Sequence, residues 1–317
     1  MRRPYYGRNV AISDFVASYL NSYAMEQKSP LTVRSHRELL AMWVDYLGED
    51  KALKNISLPE VLGVADTAWG RGVGPARINR AIGTLKQALE FARAMHYLPQ
   101  SFKLPTDNWE PIPQPPARVR TFLSVEDVEK LIATAGARAS KTIGNRARLL
   151  ADYLALLAHS GMRRTEALYL EWTDIDFKNR RVTLQGTKRM PDGKEVDWTK
   201  NRVSRVIPFN AKLENLLRDM NTRACSRWLF PREGNWTIPA RGFEDSFDRV
   251  RRTAGMPTVG LHDFRHHFIS RCVMAGIDFL TVSRWAGHQD GGLLIAKVYG
   301  HINDYHSRAM ANKLDAV

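Results

Sequence analysis

The chain has 317 residues, which at roughly 150 residues per domain suits two domains. Its 47 Lys and Arg against 33 Asp and Glu give a net charge of +14, a surplus that points to a polyanion, with nucleic acid the leading partner. With 44% hydrophobic and 25% charged residues the composition excludes a chain disordered throughout, and the longest apolar stretch, 149–158, contains Asp152 and falls far short of the roughly 20 residues a membrane helix needs.

The basic N-terminus leads into no hydrophobic signal core, so a cytoplasmic location is expected, associated with the nucleoid through DNA. Residues 1–105 read as a helical domain. Pro30 suits a first helical position after Ser29, and Leu39, Leu40, Trp43, Val44 and Leu47 then recur at helical spacing. A second long helix, from about Pro75 to Tyr97, sets Ile78, Ile82, Leu85, Leu89 and Ala92 on one side and Arg77, Arg80, Thr84 and Gln87 on another. Arg77 and Arg80, with Arg34, are the candidate DNA contacts of this half; the competing reading is an ordinary solvated helix face.

Residues 104–117, LPTDNWEPIPQPPA, hold five prolines and no periodic pattern, so they are expected to be extended and exposed, and 106–120 is taken as an interdomain linker. From 121 to 317 a second domain follows. Ser124 caps a helix, Ala147–His159 reads as a buried helix, and Arg181–Gln185 and Val203–Phe209 alternate as strands, with Pro191-Asp192-Gly193 a turn between them. Segments around Phe243–Thr253, Arg265–Ala275 and Phe279–Ala286 return to helix.

No phosphate-binding Gly-rich loop with a Lys, no Rossmann glycine pattern and no serine elbow is present. Cys225 and Cys272 are too few and too far apart for a disulfide framework or a cysteine zinc cluster. His262 and His266 have the i, i+4 spacing of two zinc ligands on a helix, but Arg265 would bring a cation beside the metal. The arginine argues for an anion instead, and no metal or cofactor is expected.

Four segments each present a basic or hydrogen-bonding residue beside a Gly or a helix start: Ser160-Gly161-Met162-Arg163-Arg164-Thr165-Glu166, Thr199-Lys200-Asn201-Arg202, His262-Asp263-Phe264-Arg265 and Gly287-His288, with Tyr299 following. As an ordered set they resemble the tyrosine recombinase (phage integrase) family, whose signature is an Arg after Thr/Ser-Gly-x, a hairpin Lys, His-x-x-Arg, Gly-His and a final Tyr. The resemblance covers the second domain and, more loosely, the helical first one. It implies a mainly α fold with a small antiparallel sheet in the catalytic domain, preceded by a helical core-binding domain.

The resemblance also implies the roles. Arg163 and Arg265 would clamp the scissile phosphate, Tyr299 would attack to give a 3′-phosphotyrosine, and His262 would assist it. Lys200 would protonate the departing 5′-oxygen, and His288 would donate a hydrogen bond to the phosphate. Glu166 is assigned to orienting an arginine. One ambiguity is the lysine: Lys200 lies eight residues before Pro208, as the family's Lys usually does, whereas Lys188 better fits the usual distance from Arg163. Lys200 is preferred because 189–198 reads as an extension of the hairpin.

By the same resemblance the partners are double-stranded DNA with a specific recombination site and a homotetramer on two such sites, joined through a Holliday junction, with room for accessory DNA-bending or directionality proteins. By the same resemblance, the segment before the first helix is expected to be too short for the arm-binding domain of many phage integrases. The expected function is site-specific strand exchange, of a mobile element or otherwise. The alternatives are a type IB topoisomerase-like nicking-closing enzyme and a non-catalytic DNA-binding protein of the same fold.

Overall fold

The computed structural model describes residues 9–25, 30–114, 123–139, 146–199, 202–288, 290–293 and 295–296. The chain divides into two compact units, Met1–Arg120 and Thr121–Val317.

The first unit is helical: α1 (Ile12–Met25), α2 (Pro30–Leu47), α3 (Leu58–Gly70) and α4 (Pro75–Ala94). Ser57 and Glu60 form a capping box ahead of α3, the Glu60 carboxylate accepting from the Ser57 backbone N–H at 2.9 Å. Gly74 and Pro75 start α4. Its apolar stripe, Ile78, Ala81, Ile82, Leu85, Ala88, Leu89 and Ala92, is buried against α1, α2 and α3. Trp43 of α2 is fully buried and donates its indole N–H to the Ala81 carbonyl at 3.1 Å, so its own burial leaves no orphan donor.

Two expectations for this unit need correction. Thr84 does not share the polar side of α4: it is buried, and its hydroxyl donates to the Arg80 carbonyl at 2.9 Å, which satisfies it inside the apolar stripe. Nor is the proline-rich segment extended and exposed from its start. Leu104, Pro105 and Thr106 are buried, Trp109 and Ile112 pack on the core, and Asn79 of α4 both donates to and accepts from the backbone of Ile112, each at 2.9 Å. The apolar side chains between the prolines dock the segment on the core, while Asp107, Asn108, Glu110, Pro111, Pro113 and Gln114 among its described residues are exposed.

The second unit begins with α5 (Val125–Ala139), α6 (Arg146–Ser160) and the short α7 (Arg164–Leu168). Strands β1 (Ile175–Asp176), β2 (Arg181–Leu184) and β5 (Arg205–Pro208) make an antiparallel sheet with β2 in the centre, Val182 opposite Ile207. Between β2 and β5 the hairpin β3 (Thr187–Arg189) and β4 (Glu195–Asp197) projects, turned at Pro191-Asp192-Gly193. Then come α8 (Ala211–Thr222), the hairpin β6 (Pro231–Arg232) and β7 (Asn235–Pro239), α9 (Glu244–Thr253), α10 (Leu261–Met274) and α11 (Phe279–Ala286). The unit is mainly α with small antiparallel sheets.

Its main core joins Leu131, Leu154, Leu157 and Met162 from the helical side to Val182, Leu184 and Ile207 from the sheet, with Leu217, Phe230 and Phe264 closing it. A smaller cluster, including Phe268, Val273, Val282 and Ala286, packs α11 against α10. These two contacts fix the ends of α6, α10 and α11, where the candidate site lies.

Candidate active site

The site begins at the end of α6. Gly161 takes a left-handed conformation, φ 65°, and a Cβ there would overlap the ring of Phe268, so both the turn and the packing need glycine. Met162 is fully buried, which anchors the turn and sends Arg163 out at the N-cap of α7. The carbonyl of Gly161 accepts from Arg265 Nη1 at 2.7 Å, so one turn holds Arg163 by covalent connection and Arg265 by hydrogen bond. Arg265 lies on α10 and is 3% exposed.

Glu166 ties this corner together. It is 1% exposed; its carboxylate accepts from the Arg163 backbone N–H at 2.7 Å and from Arg163 Nη1 at 2.9 Å. Arg205 of β5 reaches the same carboxylate from the other side, Nη1 to Oε1 at 2.9 Å and Nη2 to Oε2 at 2.5 Å. Burial alone would push the Glu166 carboxyl up, but the hydrogen bonds from Arg205 and the charges of Arg205 and Arg163 prevail and hold it below the ordinary value. Glu166 is therefore an anionic strut that orients arginines.

The third side is the end of α11. Gly287 caps it at φ 72°, its N–H donating to Ser283 O at 2.8 Å, and its own carbonyl accepts from Arg163 Nη2 at 2.7 Å. His288 follows, its carbonyl fixed by the Ser283 hydroxyl at 3.1 Å. Burial, and then the charges of Arg265 and Arg163, push the His288 imidazole down to about 4, so at neutral pH the ring is uncharged. Its Nδ1 is buried without a hydrogen-bond partner among the described residues. Arg163, Arg205, Thr199 and His288 line a cleft of about 640 Å³, together with Trp285 and Gly287.

Arg163, Arg265 and His288 are thus brought together from the ends of three helices. His262 lies one turn before Arg265 on α10, exposed, its ring edge to face with His266 at 4.7 Å between centroids. Lys200 and Tyr299 lie outside the described residues, although Thr199, which precedes Lys200, lines the cleft. Arg77 and Arg80 are exposed along α4, while the exposed Arg34 pairs with Glu38 one turn on at 2.9 Å.

The other lysine has a different occupation. Lys188 on β3 is 9% exposed, bonded to Asp174, 3.6 Å from Glu171 and 3.9 Å above the ring of Trp198. Its ammonium is spent on two carboxylates and an aromatic face. Around Gly186 the chain closes into the base of the loop that continues to Lys200: the Gly186 carbonyl accepts from Trp198 N at 3.1 Å and Thr199 N at 3.2 Å, and a Cβ on Gly186 would overlap the Arg202 carbonyl.

Sequence reasoning missed Arg205. It stands in the strand VSRVIPF, where alternation makes a charged residue look like an ordinary solvent-facing position. The available signal was a second arginine five residues after Lys200, close to the sheet position that the core needs at Ile207.

Residues 121–306 match the model of the Phage integrase family. Among curated proteins the chain is 27% identical over 176 residues to a tyrosine recombinase XerC-like protein of Caldanaerobacter subterraneus subsp. tengcongensis, a match spanning 47% of this chain and 45% of that one. It is 23% identical over 327 residues to the ICEBs1 integrase of Bacillus subtilis, spanning 97% of this chain and 83% of the relative. Among solved structures it is similar to the Tn1549 transposon integrase in complex with a circular intermediate DNA, with a TM-score of 0.76 at 17% identity, covering 96% of this chain and 99% of that one. With well over half of its length matched by the family model and its arginine-histidine corner built as described, this chain belongs to the phage integrase family of tyrosine recombinases.

Proposed function

We propose that this protein is a site-specific DNA recombinase that cuts and rejoins strands through a 3′-phosphotyrosine, with Arg163, Lys200, His262, Arg265, His288 and Tyr299 as its reacting set. The observation that carries the proposal is the convergence of Arg163 and a neutral, half-buried His288 on one cleft, with the buried Arg265 held behind them on the Gly161 carbonyl. Two guanidinium forks suit the non-bridging oxygens of a phosphodiester and neutralise the extra charge of a pentacoordinate transition state. A neutral imidazole offers one N–H donor to the same oxygens without adding a charge that must be buried.

The chemistry balances without an outside reagent. Tyr299 Oη forms a bond to phosphorus, its proton passing to His262, while the bond from phosphorus to the 5′-oxygen breaks and that oxygen takes a proton from Lys200. A 5′-hydroxyl of another strand reverses the sequence, so joining needs no ATP. Lys200 is preferred over Lys188 because the Lys188 ammonium is engaged by Asp174, Glu171 and Trp198. The helical first unit serves as the core-binding domain with Arg77 and Arg80 on DNA, the second unit is the catalytic domain, and the working assembly is a tetramer on two DNA sites. In this role it serves a mobile element and acts on DNA in the cytoplasm.

A plasmid carrying two copies of the DNA flanking the gene, incubated with the protein in EDTA, tests the reading. Site-dependent resolution or inversion is expected. Relaxation of a plasmid lacking any such site would favour the nicking-closing alternative, and tight binding without either product would favour a non-catalytic DNA-binding protein.

A further inference from the structure

We infer that Arg205 is a positioning residue that sets the register between Arg163 and the Gly287-His288 corner, so that the phosphate clamp is assembled by β5 as well as by the helices. The inference rests on the reading of Arg163 as a phosphate ligand.

Arg205 makes three hydrogen bonds to two partners. Nη1 and Nη2 hold both oxygens of Glu166, at 2.9 and 2.5 Å, and Nε donates to the Trp285 carbonyl at 2.9 Å in the last turn of α11. Glu166 in turn holds Arg163, and Arg163 Nη2 returns to the Gly287 carbonyl at 2.7 Å. The result is a closed ring: Arg205, Glu166, Arg163, Gly287, Trp285 and back to Arg205. Only a planar fork with a third donor on its stem can serve Glu166 bidentately and the carbonyl of Trp285 together, and a lysine ammonium cannot. The packing is tight as well: a Cβ on Gly287 would lie 2.9 Å from Arg205 Nη1 and 3.0 Å from its Cζ. The Arg205 side chain is 8% exposed, so the fork touches the site through Glu166 and α11 instead of offering itself openly to an anion.

The ring fixes α11 to the arginine corner by polar bonds, in addition to its apolar packing on α10. Without Arg205, Glu166 would keep Arg163 but the end of α11 would lose its tie to the sheet. Arg163 and His288 would then no longer share one geometry. A misplacement near 1 Å lowers a reaction rate by about a hundredfold while leaving the ligand contacts in place.

The test measures the single-turnover rate of covalent adduct formation on a nicked duplex from the flanking DNA, alongside the Kd for the same DNA and the melting temperature, for wild type, Arg205→Lys, Arg163→Lys and the double variant. Arg205→Lys is expected to react about a hundredfold more slowly at unchanged Kd, and to add less than about threefold in the Arg163→Lys background, because both act through one clamp. Gly287→Ala, which keeps every charge but pushes a methyl against the fork, is the second variant and is expected to show the same loss at unchanged Kd. Wild-type rates in Arg205→Lys and Gly287→Ala, or equal losses from Arg205→Lys in both backgrounds, overturn the inference. Absence of any adduct from wild-type protein would instead overturn the recombinase reading on which it rests.

Discussion

The indole Nε1 of Trp198 donates to the backbone carbonyl of Glu166 at 3.0 Å, joining the lysine-bearing loop to the helix turn that carries Arg163. With the Lys188 ammonium above the same ring at 3.9 Å, Lys188 becomes the clamp that holds Trp198 and the hairpin base. The two lysines are therefore separable by experiment. A substrate with sulfur in place of the 5′-bridging oxygen releases a thiolate, whose conjugate acid has a pKa near ~8.5, and needs no proton from the enzyme. Lys200→Ala is expected to be slow on ordinary DNA and restored on the sulfur substrate. Lys188→Met should be slowed on both alike, through a loosened loop. Rescue of Lys188→Met alone would reverse the assignment.

Gly161 serves the fold and the site at once. Gly161→Ala must tolerate a left-handed backbone and displace Phe268 from the α10 face. A cost of about 2–4 kcal/mol is expected from the overlap and the backbone together, lowering the melting temperature by several degrees. Because the Gly161 carbonyl holds Arg265, cleavage should fall further than the stability loss accounts for, which a comparison at a temperature well below both melting points would show.

His288 makes stability pH-dependent in a definite direction. Its pKa in the folded protein, about 4, lies below the ordinary histidine value, so the unfolded chain binds the proton more readily. The stabilisation is complete above pH 6.5 and is lost as pH falls toward 4. His159, pushed down to about 4 by burial and then by Lys212, acts with the same sign. Between pH 6.5 and 5, above most carboxylate titration, wild-type melting temperature should drop, and His288→Asn should show a shallower drop. Equal slopes would contradict a neutral, half-buried His288.

Binding to DNA should weaken steeply with salt, because Lys and Arg neutralising phosphates release counterions. Arg77→Ala and Arg80→Ala are each expected to lower the slope of log affinity against log salt by about one, whereas Arg34→Ala, whose guanidinium already pairs with Glu38, should change it less. A fluorescence-anisotropy titration at several salt concentrations checks this; unchanged slopes in Arg77→Ala and Arg80→Ala would remove α4 from the DNA contact.

Much of this was legible in the sequence for physical reasons. The stripe from Ile78 to Ala92 predicts α4 because burial follows helical period, and Gly161 and Gly287 mark positions where only glycine fits the turn beside a functional side chain. The ordered motif set marks Arg163, Arg265 and His288 in the sequence itself. Other features were hidden. Leu104 and Trp109 are masked by neighbouring prolines, which signal extension but say nothing of docking. Strand β7 is exposed at Asn235, Trp236 and Thr237 in succession, so no alternation marks it. Arg205 escaped because its importance comes from a carboxylate 39 residues away in sequence, a relationship that no local pattern encodes.

The central claim is that Tyr299 forms a covalent bond to DNA without metal. The most direct measurement incubates wild-type protein and Tyr299→Phe with nicked duplexes from the flanking DNA in EDTA and resolves the products on a denaturing gel, where the nick lets the released fragment diffuse away and traps the adduct. A protein–DNA band that resists denaturant and vanishes in Tyr299→Phe is the predicted result. A band of equal intensity in Tyr299→Phe, or none from wild-type protein that binds the same DNA tightly, would contradict it.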